Sequence, residues 1–217
     1  MFQQLPNTQP RLADEVYRQI LSAILSGYIE PGERIVQEKL AAEINVSRTP
    51  VREALLRLEQ EGILEIASRS GFSIRKITDA EVRQIYQARE AVEGYSARIL
   101  AESGTRTQHN VIEQVFAKEQ QSRPNGIEDF FRANKQIHRT IVEQTGNRHL
   151  LEMFDSLWNR GISFRLFAAI SNVDLTASLG EHQALIDTIR TNSPEAAEAV
   201  MVIHIRDGLE LQLEALP

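Results

Sequence analysis

Apolar residues recur at helical spacing along nearly the whole chain, with one short interruption. From Leu12, the set Val16, Ile20, Ala23 and Ile24 marks a helix that stops at Gly27, and Pro31-Gly32 forces a turn. A short helix is expected from Gln37 to Ile44, with Leu40, Ala41 and Ile44 on one side. Asn45 breaks it, because asparagine tolerates left-handed backbone. The next helix begins near Ser47 or Thr49, with Pro50 in the first turn, where its missing N–H is harmless. Val51, Ala54, Leu55 and Leu58 form its i, i+3, i+4, i+7 stripe, and Gly62 closes it. Residues 63–66 and 72–75 read as two short strands around a Ser68–Gly71 turn, hence a hairpin.

Beyond Thr78, which forms a capping box with Glu81, the pattern is helical throughout. The spacing predicts helices over about 78–103, 107–122, 127–145, 147–170, 175–191 and 194–215. The expected fold is mostly α: a winged helix-turn-helix domain over 12–77, then an all-α antiparallel helical bundle over 78–217. Residues 1–11, polar and broken by proline, are expected to form a flexible arm.

Composition narrows the chemistry. The 217 residues are 42% apolar and contain no cysteine, which excludes disulfides, thiolate nucleophiles and cysteine-ligated metals. No stretch approaches the ~18 apolar residues of a membrane span, and no basic-then-apolar leader opens the chain. A cytoplasmic location is therefore expected. The net charge of −6 sits wholly in residues 78–217, while 1–77 balance ten basic against ten acidic residues. Such asymmetry suits two domains with different partners.

Burying the stripe of the second short helix leaves Arg48, Thr49 and Arg52 on the opposite face and at its N-terminal end. A major groove admits one helix, whose first residues reach base edges, and arginine reads guanine through paired bonds to O6 and N7. Ser47 and Thr49 can cap the helix or bond a phosphate. Arg69 and Gly71 sit at the hairpin tip, where small and basic residues suit close approach to a phosphate backbone. The alternative is a solvated face on which Arg48, Arg52 and Arg57 pair with nearby glutamates. The agreement of capping, paired helices and a basic tip favours DNA.

The blocks Gly27-Tyr-Ile-Glu-Pro-Gly-Glu-Arg-Ile35, Gln37-Glu-Lys-Leu-Ala41, Val46-Ser-Arg-Thr-Pro-Val-Arg-Glu-Ala-Leu-Leu-Arg-Leu58 and Glu61-Gly-Ile-Leu64 resemble the GntR family of bacterial transcription regulators. The resemblance covers about residues 12–77. It implies operator contacts by the residues at Arg48, Thr49 and Arg52, and a wing glycine at Gly71. It departs at Glu38, where some members carry a base-contacting basic residue.

In the second half, His138 shares a helix face with Phe131, Asn134 and Ile141, His182 lies with Leu185, Ile186 and Ile189, and His204 falls on the stripe of Ala197 and Val200. One such histidine is usually a core residue. Three from three helices, with Asn134 one turn before the first, suit a divalent ion such as Zn²⁺, Ni²⁺, Mn²⁺ or Fe²⁺. His109 and His149 are expected at the surface. This half resembles the FadR-type C-terminal domain, a helical bundle that binds a small effector. Its metal-binding subgroup places aspartate where this chain has Asn134, which implies weaker metal binding and a more positive site.

Arg89 lies on an apolar stripe, where a charge needs a partner. It is read either as an ion pair with Glu93 or as a fork for a carboxylate effector. Arg160 and Arg165 are further candidates for the second role. Together these readings describe a homodimeric transcription regulator, by default a repressor, that binds palindromic double-stranded DNA and a small carboxylate. The residues alone leave open a metal-dependent hydrolase-like enzyme with a DNA-binding head, and an effector-free DNA-binding protein.

Overall fold

A computed structural model describes residues 12–30, 32–67, 71–158 and 174–215 of the protein. The arm at 1–11, Arg69 at the hairpin tip, and Arg160 and Arg165 lie outside the described residues. The chain divides into two compact units, Met1–Lys76 and Ile77–Pro217.

The first unit runs α1 (Leu12–Leu25), β1 (Arg34–Ile35), α2 (Gln37–Glu43), α3 (Arg48–Gln60), β2 (Leu64–Ile66) and β3 (Phe72–Ile74). Val16, Ile20 and Ile24 of α1 share one buried cluster with Val51, Ala54, Leu55 and Leu58 of α3. Burying a side chain the size of Leu55 or Leu58 contributes about 1.5–3 kcal/mol. The tight turn between α2 and α3 rests on Asn45 at φ 53°. There the Asn45 and Val46 N–H groups donate back to Ala42 O and Ala41 O at 3.3 and 3.0 Å, satisfying carbonyls that the helix end leaves open.

The expected two-stranded hairpin is a three-stranded antiparallel sheet of order β1-β3-β2, with Ile35 opposite Phe72 and Leu64 opposite Ile74. Two residues are too few to show an alternating pattern, so β1 escapes a reading based on periodicity.

The second unit comprises α4 (Asp79–Arg89), a π-helical turn (Glu90–Gly94), α5 (Tyr95–Ser103), α6 (Arg106–Ser122), α7 (Ile127–Gln144), α8 (Arg148–Trp158), α9 (Leu175–Gly180), α10 (His182–Ile189) and α11 (Pro194–Ala215). Thr78 Oγ1 accepts the Glu81 N–H at 3.3 Å and starts α4. Helix α11 lies along α4, the π turn, α5 and α10, and α7 packs between α6 and α8. Phe116, Ile137, Ile141, Phe154, Trp158 and Met201 fill the space among them.

Two expected helices prove to be interrupted. The 78–103 span contains the π turn, and the 175–191 span breaks at Glu181. A π turn inserts one residue into the ladder and rotates the faces on either side, which a period-3.6 pattern cannot register. Of the expected 147–170 helix, the described part ends at Trp158. Among the described residues no helix is long and apolar enough to cross a membrane.

Candidate DNA-reading face and metal centre

At the start of α3, burial of Pro50, Val51, Ala54 and Leu55 turns Ser47, Arg48, Thr49 and Arg52 outward, and all four are exposed. Ser47 takes the N-cap position with extended backbone but makes no side-chain capping bond, so its hydroxyl stays available. Gln37 Nε2 donates to Arg48 O at 2.9 Å and ties the first turn of α2 to the first turn of α3. Gln37, Arg48, Thr49 and Arg52 line one concavity with Glu38 and Gly71. Arg48 Nη1 lies 2.8 Å from Glu38 Oε1, with the two side chains 69% and 66% exposed. An ion pair so open to water is worth little and exchanges readily.

Gly71 has φ +141°, and a Cβ there would lie 2.9 Å from Arg34 Nε and 3.1 Å from Ile35 O. A side chain there would be strained by the positive φ and would crowd strand β1.

In the second unit the three histidines converge. His138 comes from α7, His182 opens α10 and His204 comes from α11. His138 Nε2 lies 3.0 Å from His182 Nε2 and 3.2 Å from His204 Nε2. One ligand atom from each ring falls within 4.8 Å of the others. Two nitrogens bound at ~2.0–2.1 Å to a tetrahedral ion stand roughly 3.3 Å apart, so the spacing fits a shared cation. Asn134 is buried one turn before His138 on α7.

The far side of two of the rings explains their aim. His182 Nδ1 bonds Leu179 O at 2.9 Å, a carbonyl left free by the break at Glu181, so this nitrogen carries the proton and Nε2 carries the lone pair. His138 Nδ1 stands 2.5 Å from Glu93 Oε2, close enough for an ion-pair contact although out of line for a straight hydrogen bond. Burial first, then the neighbouring imidazoles, push the pKa of His182 well below its ordinary value. Burial, with His138 and Arg89, pushes His204 down to about 3. Neutral imidazoles are the ligating form.

Glu93 is wholly buried and sits in the π turn. Its Oε1 accepts from Arg89 Nε at 2.8 Å and from Trp158 Nε1 at 3.0 Å. Burial alone would raise its pKa, but Arg89 and His138 outweigh burial and hold the carboxyl well below the usual range. The Arg89 guanidinium lies 4.3 Å from the Trp158 ring centre and 4.8 Å from that of Tyr86. Of the two readings of Arg89, the ion pair with Glu93 is therefore formed.

The sequence reading treated Glu93 only as a partner for Arg89 and missed its contact with His138. The available signal was a second charged residue on the same apolar stripe. It also misplaced His109, which is buried rather than at the surface, with Nε2 bonded to Leu100 O at 3.0 Å. His149 is exposed, as expected.

Comparison with known proteins follows the same division. Residues 12–74 match the model of the bacterial regulatory proteins of the gntR family, and residues 84–207 match that of the FCD domain. The chain is 29% identical over 199 residues to the HTH-type transcriptional regulator YdhC of Bacillus subtilis, covering 90% of this chain and 88% of that one. It is 26% identical over 211 residues to the HTH-type transcriptional repressor RspR of Escherichia coli, covering 94% and 90%. The solved structure of E. coli McbR/YncC superposes with a TM-score of 0.66 at 22% identity, covering 95% of this chain and 99% of that one. Lar of Listeria monocytogenes superposes at 0.68 and 19% identity, covering 96% and 98%. At these identities the structural likeness concerns the fold.

Proposed function

The chain belongs to the GntR family of bacterial regulatory proteins, with an FCD domain behind its winged head, and is a DNA-binding transcription regulator. From that premise we propose that it is a homodimeric repressor whose grip on a palindromic operator is set by a small organic acid bound in the FCD domain beside a divalent metal ion. Membership in a family of regulators sets aside the hydrolase-like reading of the histidines.

Ser47, Arg48, Thr49 and Arg52 read the operator from the N-terminal end of α3, with Arg69 and Gly71 at the wing. Their exposure beside a buried α3 core supports this, since a guanidinium matches guanine O6 and N7. One such helix per subunit calls for two half-sites, hence a palindrome. The likeness to a named repressor supports the sign of regulation.

His138, His182 and His204 hold the ion, with Asn134 as a neutral oxygen ligand. The observation that carries this reading is the convergence of three imidazole Nε2 atoms at 3.0 and 3.2 Å, the spacing of two ligands on one ion. Bound there, Zn²⁺, Ni²⁺, Mn²⁺ or Fe²⁺ supplies positive charge and open positions for a carboxylate. With no charge from Asn134 the site stays more positive, which favours an anionic effector. Arg89, and Arg165 beyond the described residues, are further anchors for the acid. The acid changes operator affinity to the extent that it binds the DNA-bound and free forms unequally.

The test uses DNA enriched by the full chain from a random-sequence pool, followed by fluorescence anisotropy with zinc and a panel of small carboxylates. Zinc binding by calorimetry and an acid-dependent loss of DNA affinity are expected. Both should vanish in the His182→Ala/His204→Ala variant while DNA binding itself survives. No zinc uptake by the wild type, or an acid response that persists in the variant, refutes the reading.

A further inference from the structure

Three groups crowd the Glu93 carboxylate, and they divide between its two oxygens. Oε1 takes the Arg89 Nε–H and the Trp158 Nε1–H. Oε2 faces His138 Nδ1 at 2.5 Å and receives a longer contact from Arg89 Nη2 at 3.5 Å. Both Glu93 and His138 are fully buried, and Arg89 is almost so. Glu93 touches the side of the His138 ring opposite Nε2, so it stands behind the three-histidine cluster rather than within it.

A carboxylate behind a ligating imidazole orients the ring, fixes the proton on the nitrogen it faces and makes the other nitrogen a better donor. This chain has particular need of such a group. Asn134 supplies no charge, and Glu93 is the carboxylate in contact with these histidines among the described residues. The π turn brings it there by rotating residues 90–94 out of the register of α4. Trp158 and Arg89 hold the carboxylate from the other side, so its position is set from two helices.

We infer that Glu93 is the positioning residue of this centre: it aims His138 Nε2 at the other two imidazoles and provides, through the ring, the negative charge that Asn134 lacks. The part concerning the ion rests on the metal reading above. The orienting of His138 does not. Arg89 is bound to the same carboxylate, so an acid that draws Arg89 away leaves more of the Glu93 charge to His138. Acid and metal occupancy are thereby linked, each raising affinity for the other.

The experiment compares wild type, Glu93→Gln, Asn134→Asp and the double variant in the full chain. Zinc affinity is read by calorimetry, and the ¹⁵N resonances of the histidine rings are read in metal-free protein. Glu93→Gln should weaken zinc binding about 10–100-fold, the range for loss of such a supporting partner. It should also move the His138 Nδ1 resonance while leaving that of His182. Asn134→Asp should raise affinity by a larger factor in the Glu93→Gln background than in wild type, which a purely space-filling role for Glu93 would not give.

Unchanged zinc affinity in Glu93→Gln, or an equal gain from Asn134→Asp in both backgrounds, overturns the inference. A wild type that takes up no zinc removes the metal reading, and an unmoved His138 resonance then removes the orienting role as well. Should Glu93→Gln fail to fold, Arg89→Gln/Glu93→Gln against Arg89→Gln makes the same comparison, because the buried cation leaves with the anion.

Discussion

Trp158 is the sole tryptophan of the chain, and replacing it with phenylalanine tests how firmly the buried carboxylate is held. The substitution keeps an aromatic ring but deletes the Nε1–H that reaches Glu93 Oε1 at 3.0 Å. A hydrogen bond to a charged acceptor contributes about 1.5–3 kcal/mol. The smaller ring also leaves a void of roughly 40 Å³, which at about 24 cal/mol per Å³ costs about 1 kcal/mol more. A loss of about 3 kcal/mol is expected. For a chain of this length that lowers the melting temperature by about 6–12 °C.

Far-UV circular dichroism during urea and thermal unfolding measures the loss. Made in the Glu93→Gln background, the same substitution should cost at least about 1 kcal/mol less, because the charged acceptor is already gone. A loss below about 1 kcal/mol, or full additivity of the two changes, would refute the claim that Trp158 secures Glu93.

Other outcomes follow from the same geometry. Arg48→Ala and Arg52→Ala should each weaken specific operator binding by about 1–3 kcal/mol and leave the melting curve unchanged; equal affinities in an anisotropy titration would rule these residues out as base readers. Asn134→Asp alone should tighten zinc binding, since an anionic ligand replaces a neutral one, and calorimetry showing no gain would place Asn134 outside the ligand set. Gly104→Ala would set a Cβ 2.5 Å from His109 Nε2, besides meeting Leu100 O. Overpacking and the loss of the His109–Leu100 bond should cost about 2–4 kcal/mol in urea unfolding, and a neutral result would show that the α5–α6 corner yields without strain.

The two parts of the candidate function were unequally visible in the sequence. Ser47, Arg48, Thr49 and Arg52 lie within six consecutive residues, so burying Val51, Ala54 and Leu55 dictates that they face outward. The histidines could be assigned to apolar faces, but each face could equally have met ordinary core. Glu93 and His109 were read less well. A carboxylate four residues from Arg89 offers a complete local partner, which conceals its second contact with His138. His109 sits at a helix start, where polar residues are usually solvated, yet Gly104 lets it reach back to Leu100 O.

Interactions that span a few residues were decided by the chain itself. The apolar stripes, the Asn45 turn, the Thr78 cap and the outward face of α3 depend on neighbours no more than two turns away, whose geometry the covalent backbone enforces. Packing alone decided the rest. His138 meets His182 44 positions later in the chain and His204 66 positions later, while strand β1 pairs with β3 nearly forty residues later. Such contacts depend on how rigid elements are rotated about their axes, and one π turn or one helix break shifts that rotation without altering the local pattern of apolar residues.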